Sequence, residues 1–547
     1  MSERQKKENK KAEYIAGLTR LALGGDASAC KELGEVYYFG SDAERDEVLA
    51  EKYFLLAAEG GETDAYNSLG DMCYYSEDEE VRARAAEYYI RGVECDNGTA
   101  FLNLGVCYEE GLGLEQSADK ALECYLAAAE RDCAEGYVCA GNIMCGRKDF
   151  ASAEKYYELA ARGGDSRGAY NLGIMFSREE SCLDGEKALY WFRRSAGLGG
   201  VGAYWQIGSL YYDGALVGTD KKAAAAWYKK GAELGDADCI TSLAICHKNG
   251  EGVRRDMDKA FELFKKAAKL GHAVAQAYLA QCYQRGVPVK RNYKKALHWY
   301  TAAGEGGNAD SLYNAGVLWE KGLGTKKNID RAIEFYDRAA ELGCAEAAYD
   351  LGELYDRGEK VIRDAQAAFM WYKLAAELGD GMGMNNLAAC YLSGDGCERD
   401  EQAAMEWFRR AAEENVAPAL AQVGNMYYYG IGGRQDCALG LEYYRRAAEG
   451  GFVNAYNNVG LAYQQGLAVQ PDNQFAVECY KKAIKGGCVQ AYHNLAICYE
   501  LGLGVERDLK QAAKLYQKAV KGGVKESFIG LVRVLKAIED EKNARSY

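Results

Sequence analysis

Proline is almost absent, with 3 residues in a chain of 547. Proline ends helices and lacks a backbone donor, so its scarcity leaves long stretches free to be helical. Histidine is also rare, at 4 residues, and neither H-E-x-x-H nor G-x-x-x-x-G-K-[ST] occurs. The zinc-protease and phosphate-loop chemistries therefore lack their residues. No C-x-x-C pair occurs among the 19 cysteines, and their number is odd. Both facts argue against a disulfide framework, and a reducing cytoplasm is the expected location. No uncharged apolar run reaches the ~18 residues of a membrane-spanning helix, so no membrane insertion is expected. The opening "MSERQKKENKKAEY" is positively charged with no apolar core after it, and is not read as a signal peptide. Basic charge is outweighed, 67 residues against 81 acidic, for a net charge of −14. That balance argues against nonspecific binding to nucleic acid or to anionic membranes.

What is abundant is glycine (64), tyrosine (42) and one recurring sentence. "AFLNLGVCYEEGLGLEQSADKALECYLAAAERD" from Ala100 returns as "SLYNAGVLWEKGLGTKKNIDRAIEFYDRAAELG" from Ser311 and "AYHNLAICYELGLGVERDLKQAAKLYQKAVKGG" from Ala491. Fourteen units can be indexed on a small marker residue: Gly34, Gly70, Gly105, Gly141, Gly173, Gly208, Ala244, Ala280, Gly316, Gly352, Ala388, Gly424, Gly460 and Ala496. From Gly208 onward the markers fall 36 residues apart. Such spacing means one supersecondary unit stacked on copies of itself.

Each unit reads as two helices. Helix A carries apolar or small residues at −5, −1, 0 and +3 from the marker, as in Ala491, Leu495, Ala496 and Tyr499. Those offsets share one helical face. A Gly-x-Gly-Val turn follows in many units, then helix B with an aromatic residue at a fixed place in all fourteen, from Phe54 to Tyr516. Small residues allow close helix approach, and the aromatic fills the gap between layers. Glycine then closes helix B in a left-handed cap, as at Gly271 and Gly523. Residues 11–24 read as a lone helix B and 524–540 as a lone helix A, with charged "EDEKNARSY" trailing. These ends are expected to act as caps with polar outer faces.

The pattern A-x-x-x-L-G-x-x-Y … G-x-G-V-x-x-D … K-A-x-x-W-Y-x-x-A-A-x-x-G resembles the Sel-one-like repeat (SLR) family, cousins of tetratricopeptide repeats. Ala203 to Gly235 and Ala347 to Gly379 are close copies, including Trp227-Tyr228 and Trp371-Tyr372. The resemblance implies an all-α, right-handed superhelical solenoid of about fourteen two-helix repeats. The expected division is an N-terminal capping helix at 1–24, the repeats at 25–523, and a C-terminal capping helix with tail at 524–547. It also implies a scaffold or adaptor for protein complexes, with no catalysis and no cofactor. Repeats 2, 4 and 5 depart most, since "YYSEDEEVRARAAEYY" and the two later loops lack Gly-x-Gly. Secreted cysteine-rich relatives pair a cysteine in each helix of the unit. Here cysteines are scattered, which sets aside a disulfide architecture and a cell-wall role.

In such a solenoid the A helices line the inner curve, which places positions −6, −2 and +1 toward a concave groove. Position −2 is Asn at Asn103, Asn171, Asn314, Asn386, Asn458 and Asn494, and Gln at Gln206. An amide donates and accepts at once, which suits a peptide backbone; equally, it can bond the adjacent helix and aid stacking. The three positions together hold ten acids, among them Glu346, Asp350 and Glu353, against a single base, Arg167. The expected ligand is therefore a protein or peptide segment, basic or neutral. Alternatives are a regulator or inhibitor wrapping one folded partner, and a hydrolase or cell-wall binder of the secreted type. Loops of repeats seven to nine carry Arg254, Arg255, Lys290, Arg291, Lys326 and Lys327, read either as a solvated edge or as a second docking surface. His247 takes the +3 place usual for Tyr and reads as core. Cysteines recur at +2 (Cys107, Cys246, Cys282, Cys390, Cys498) and read as small hydrophobes. "GDSRG" around Ser166 matches G-x-S-x-G, but it lies between repeats with no strand before it.

Overall fold

The computed structural model describes residues 3–40 and 43–544. Residues 1–2 of the expected N-terminal cap and 545–547 of the expected tail lie outside them. Helices are joined by short turns, and among the described residues there is no strand. The chain divides into two compact units, Met1–Ala267 and Ala268–Tyr547. Each is a run of the two-helix repeat, so the fold is an all-α solenoid of fourteen tandem repeats.

One repeat explains the others. In repeat 14, helix A spans Val489–Leu501 and ends in Gly502, whose left-handed backbone lets its N–H reach the Cys498 carbonyl. Helix B spans Leu509–Lys521 and is opened by Asp508, whose carboxylate accepts from the Gln511 N–H at 3.0 Å. That is the reason for Asp at the end of G-x-G-V-x-x-D: it satisfies an orphan donor of helix B. The second glycine of the turn, Gly504, has φ +68 and lies against the Asn473 carbonyl at the start of the preceding helix B. A side chain there would meet both a backbone penalty and another backbone.

The aromatic of helix B is buried in every repeat. It packs on the marker of its own helix A. A Cβ on Gly352 would stand 2.5 Å from the Tyr372 ring, and one on Gly316 would stand 2.7 Å from Tyr336. Two residue types far apart in sequence thus specify one close helix pair, as the pattern implied.

The irregular repeats are local. In repeat 2 the missing Gly-x-Gly turn is replaced by a short helix, Glu79–Ala83, before helix B at Ala85–Glu94. In repeat 5 a 3-10 turn, Glu180–Cys182, fills the gap. At the ends, helix Glu3–Leu23 buries Leu18 against Ala29 and Leu33, and helix Glu526–Ala544 buries Val534 against the last repeat.

Candidate functional site

The helix B tyrosine does more than fill space. Its hydroxyl is drawn toward helix A and needs an acceptor there. Two solutions recur. With Gln or Glu at +4, the hydroxyl donates to it: Tyr125 to Glu109, Tyr300 to Gln284, Tyr336 to Glu320, Tyr480 to Gln464 and Tyr516 to Glu500, at 2.6–2.7 Å. Otherwise it donates to a polar residue at +1: Tyr89 to Asp71 at 2.7 Å, Tyr157 to Asn142 at 2.8 Å and Tyr444 to Asn425 at 2.7 Å. In each of these three cases the −2 Asn of the next repeat donates to the same acceptor. Asn103 reaches Asp71 at 3.2 Å, Asn171 reaches Asn142 at 3.0 Å and Asn458 reaches Asn425 at 3.2 Å. One acceptor thus ties helix A, helix B and the following helix A together.

The other expected groove residues also touch neighbours. Gln206 donates to the Tyr170 hydroxyl at 2.8 Å, and Asn494 to Asn457 Oδ1 at 2.8 Å. Asp350 accepts from the Tyr313 hydroxyl at 3.0 Å. Asn314 donates to the Asp310 carbonyl of its own helix, and Asn386 accepts from Asn385. Glu353 pairs with Arg357. All of these side chains are half-buried, while Glu346 is exposed. The amides of Asn103, Asn171, Gln206, Asn458 and Asn494 therefore serve stacking, whereas those of Asn314 and Asn386 bond within their own helix, and each keeps a polar atom beyond the bonds named.

Among the described residues, cavities lined by these columns are found in the unit from Ala268 to Tyr547. The first, about 180 Å³, belongs to repeats 9 and 10, whose A helices are Ala309–Lys321 and Ala345–Arg357. It is lined by Glu320, Asp350, Glu353 and Glu359, against Arg357 and Lys360. Burial pushes the Asp350 carboxyl up, the Tyr313 hydroxyl partly offsets this, and the Glu320 and Glu353 charges add to it. Glu320 goes the other way. Burial raises it, but Lys360 Nζ at 2.5 Å and the Tyr336 hydroxyl outweigh that and hold it low. In the cavity Glu320 and Glu353 are each paired with a cation, Lys360 and Arg357, whereas Asp350 is held by the Tyr313 hydroxyl.

The second cavity, about 380 Å³, spans repeats 11 to 14. Its wall carries Asn385, Gln422, Asn425, Asn454, Asn457, Asn458 and Gln490, with Pro418 and Phe452, and contains no Asp, Glu, Lys, Arg or His. The Asn385 Oδ1 is sealed from solvent without a partner. Positions −6 (Pro418, Asn454, Gln490), −2 (Gln422, Asn458) and +1 (Ala389, Asn425) meet in this one cavity. Of the residues singled out in the sequence, Asp350 and Glu353 line the first cavity and Asn458 the second. Asn103, Asn171, Gln206, Asn314, Glu346, Asn386 and Asn494 line neither. The sequence reading missed Glu320, Asn425 and Asn457. For Glu320 and Asn425 the signal was present, since eight of the ten helix B tyrosines donate to an acceptor at +1 or +4; Asn457, at −3, lies outside that rule.

The remaining constellations resolve as packing. Burial pushes the Cys107 and Cys390 thiols up to about 12 and those of Cys246 and Cys498 to about 11, so these thiols behave as hydrophobes. His247 is buried, with Nδ1 3.3 Å from the Arg254 carbonyl oxygen. Ser166 starts helix Ser166–Arg178, and its carbonyl accepts from the Ser195 hydroxyl. Among the described residues no helix is long and apolar enough to cross a membrane.

The repeat register decides the family. A model of the Sel1 repeat matches fourteen stretches: 27–62, 63–97, 102–133, 140–165, 166–200, and then 201–524 in nine consecutive steps. The chain belongs to the Sel1 repeat family. Sel1 repeat proteins generally act as protein–protein interaction scaffolds and are generally non-enzymatic. Among solved structures, the chain is similar to c5321, a protective antigen of uropathogenic Escherichia coli with an SLR fold. Identity is 27%, covering 95% of this chain and 97% of that one, with a TM-score of 0.46. It is also similar to a Sel1 repeat protein from Oxalobacter formigenes, at 26% identity over 56% of this chain and 89% of that one, TM-score 0.44. A curated relative, an F-box protein of Arabidopsis thaliana, is 31% identical over 116 residues. That match covers 21% of this chain, and the chain spans about a third (33%) of that relative's length.

Proposed function

We propose that this Sel1 repeat protein is a non-enzymatic scaffold in the cytoplasm that holds an extended polypeptide segment along its A-helix face. The observation that carries the reading is the partition of that face. Repeats 9 and 10 present an acidic cavity, and repeats 11 to 14 present an amide cavity without ionised groups. Amides that both donate and accept suit a peptide main chain of any sequence. The carboxylates Asp350 and Glu353, with Glu346 beside them, suit a lysine or arginine of that segment. Asn314, Asn386 and Asn494 would add contacts within the same unit, and Asn103, Asn171 and Gln206 would offer amides of the same kind in the unit Met1–Ala267. Many weak contacts then add on a wall already ordered by its own hydrogen bonds. The +2-row thiols Cys107, Cys246, Cys390 and Cys498 are not in disulfides, which supports a reducing compartment.

Peptides of equal length, rich in Lys/Arg, in Asn/Ser/Gly, or in Asp/Glu, titrated against the full chain test this reading. The expected order of affinity is basic, then neutral, then acidic, with the basic advantage shrinking as salt rises. Acidic peptides binding as well as basic ones would overturn it. Binding only to a folded partner would favour the regulator reading.

A further inference from the structure

The columns at −6, −2 and +1 change character once between repeats 9 and 14. In repeats 9 and 10, four of the six places are acids: Asp310, Glu346, Asp350 and Glu353. In repeats 11 to 14 none of the twelve is ionisable. The change is abrupt and falls between Glu353 and Met382. Glu353 has its own cation in Arg357, whereas among the described residues no lysine or arginine pairs with Asp310, Glu346 or Asp350.

The two cavities also lie at different heights on their helices. The acidic one runs from Asp350, at −2, to Lys360, eight residues past the marker Gly352. The amide one runs from Phe452 and Cys488, eight residues before the markers Gly460 and Ala496, to Asn425 at +1. Their middles are offset by about six residues of helix, or about 9 Å. Across the stack, repeat 10 and repeats 12–13 stand two to three helix steps of about 8–10 Å apart. The separation is therefore roughly 20–30 Å, which an extended chain crosses in about six to nine residues. A chain seated in both runs obliquely over the A helices.

The amide cavity selects by exclusion. A charged side chain carried into it gives up water and meets no counter-charge. A main chain, or an Asn, Gln, Ser or Thr side chain, meets both donors and acceptors. The side chains of Asn454 and Gln490 are exposed on this wall and bond to no other described residue, so part of its capacity is unused. We infer that the segment held by this chain is bipartite: a Lys/Arg cluster and an uncharged polar stretch, with about six to nine residues between their centres. This rests on the reading of the A-helix face as a peptide site, and adds to it the spacing of charge in the partner. Specificity then comes from rejecting charge at one place as well as from attracting it at another.

Fluorescence anisotropy with labelled peptides and the full chain tests this. The peptides have about 20 residues, long enough to reach both cavities. One set carries a Lys/Arg triplet at the N-terminus, a second set at the C-terminus, with Asn, Ser and Thr elsewhere. A Lys-Lys pair is then walked along the neutral part. In one set the pair is expected to be harmless or favourable beside the triplet, and to weaken binding about fivefold or more once it stands six to nine residues away. A Glu-Glu pair at the far place should weaken binding likewise. In N454D/Q490E, changed at two exposed places on the wall, the far Lys-Lys pair should strengthen binding instead. Affinity that rises with added lysines wherever they stand, in both sets, overturns the inference and leaves the preference for basic over acidic peptides intact. A triplet peptide bound no better than its Asp/Glu counterpart removes the peptide reading itself, and the inference with it.

Discussion

Repeats 9–10 and repeats 11–14 use the same helix pair and the same buried aromatic place, yet they present opposite chemistries. The first pair sets Glu320, Asp350, Glu353 and Glu359 around a small cavity. The later repeats set seven amides around a larger one. The difference lies at places the fold leaves free. The marker, the aromatic and the capping Asp are fixed by packing and by orphan backbone donors. Positions −6, −2 and +1 are left open by that packing and range from acids through amides to Val and Ile. The lesson is that a repeat protein writes its specificity in the few columns that packing does not dictate.

That comparison can be broken in graded ways. The largest effect belongs to what both regions share. Tyr336→Ala removes a fully buried ring and is expected to cost about 3–5 kcal/mol, read as lost protection from hydrogen exchange in repeats 9 and 10. Asn425→Ala attacks the amide region alone. It strips the acceptor from both Tyr444 and Asn458, for about 1–3 kcal/mol, with exchange rising at the joint of repeats 12 and 13.

A subtler pair separates satisfied from unsatisfied hydroxyls. Tyr336→Phe loses a bond to Glu320 and is expected to cost about 1 kcal/mol. Tyr372→Phe should cost nothing or stabilise slightly, because the Tyr372 hydroxyl is buried without a partner. Equal costs in denaturant unfolding would contradict the acceptor rule.

The smallest effect is electrostatic. Burial lifts the Asp350 pKa above its unfolded value, so folding favours the protonated form. Asp350 therefore costs stability once pH exceeds its folded pKa, and costs nothing below the unfolded value of about 3.9. Asp350→Asn should raise the neutral-pH melting temperature slightly, with the gain fading as pH falls through that window.

The fold was legible because one unit is written fourteen times. The fixed aromatic from Phe54 to Tyr516 and the marker from Gly34 to Ala496 announced the helix pair before any coordinates. The site was legible only in part. Position −2 was recognised as amide-rich, but the bonds from Asn103, Asn171 and Asn458 span 29–33 residues and appear only when consecutive repeats are laid side by side. Asp71, one of the ten acids at −6, −2 and +1, is the shared acceptor of Tyr89 and Asn103. The split between acidic and amide walls was also present, since none of −6, −2 or +1 is ionisable from Met382 onward. A total charge over the whole face averages that split away.

The most direct test is the affinity of one Lys/Arg-rich extended peptide for the wild-type chain and for E346K/D350K/E353K, at low and moderate salt. The partitioned face calls for a loss of about tenfold or more at low salt, shrinking as salt rises, with a neutral peptide bound unchanged by both proteins. Undiminished binding of the basic peptide by the reversed chain would contradict the account.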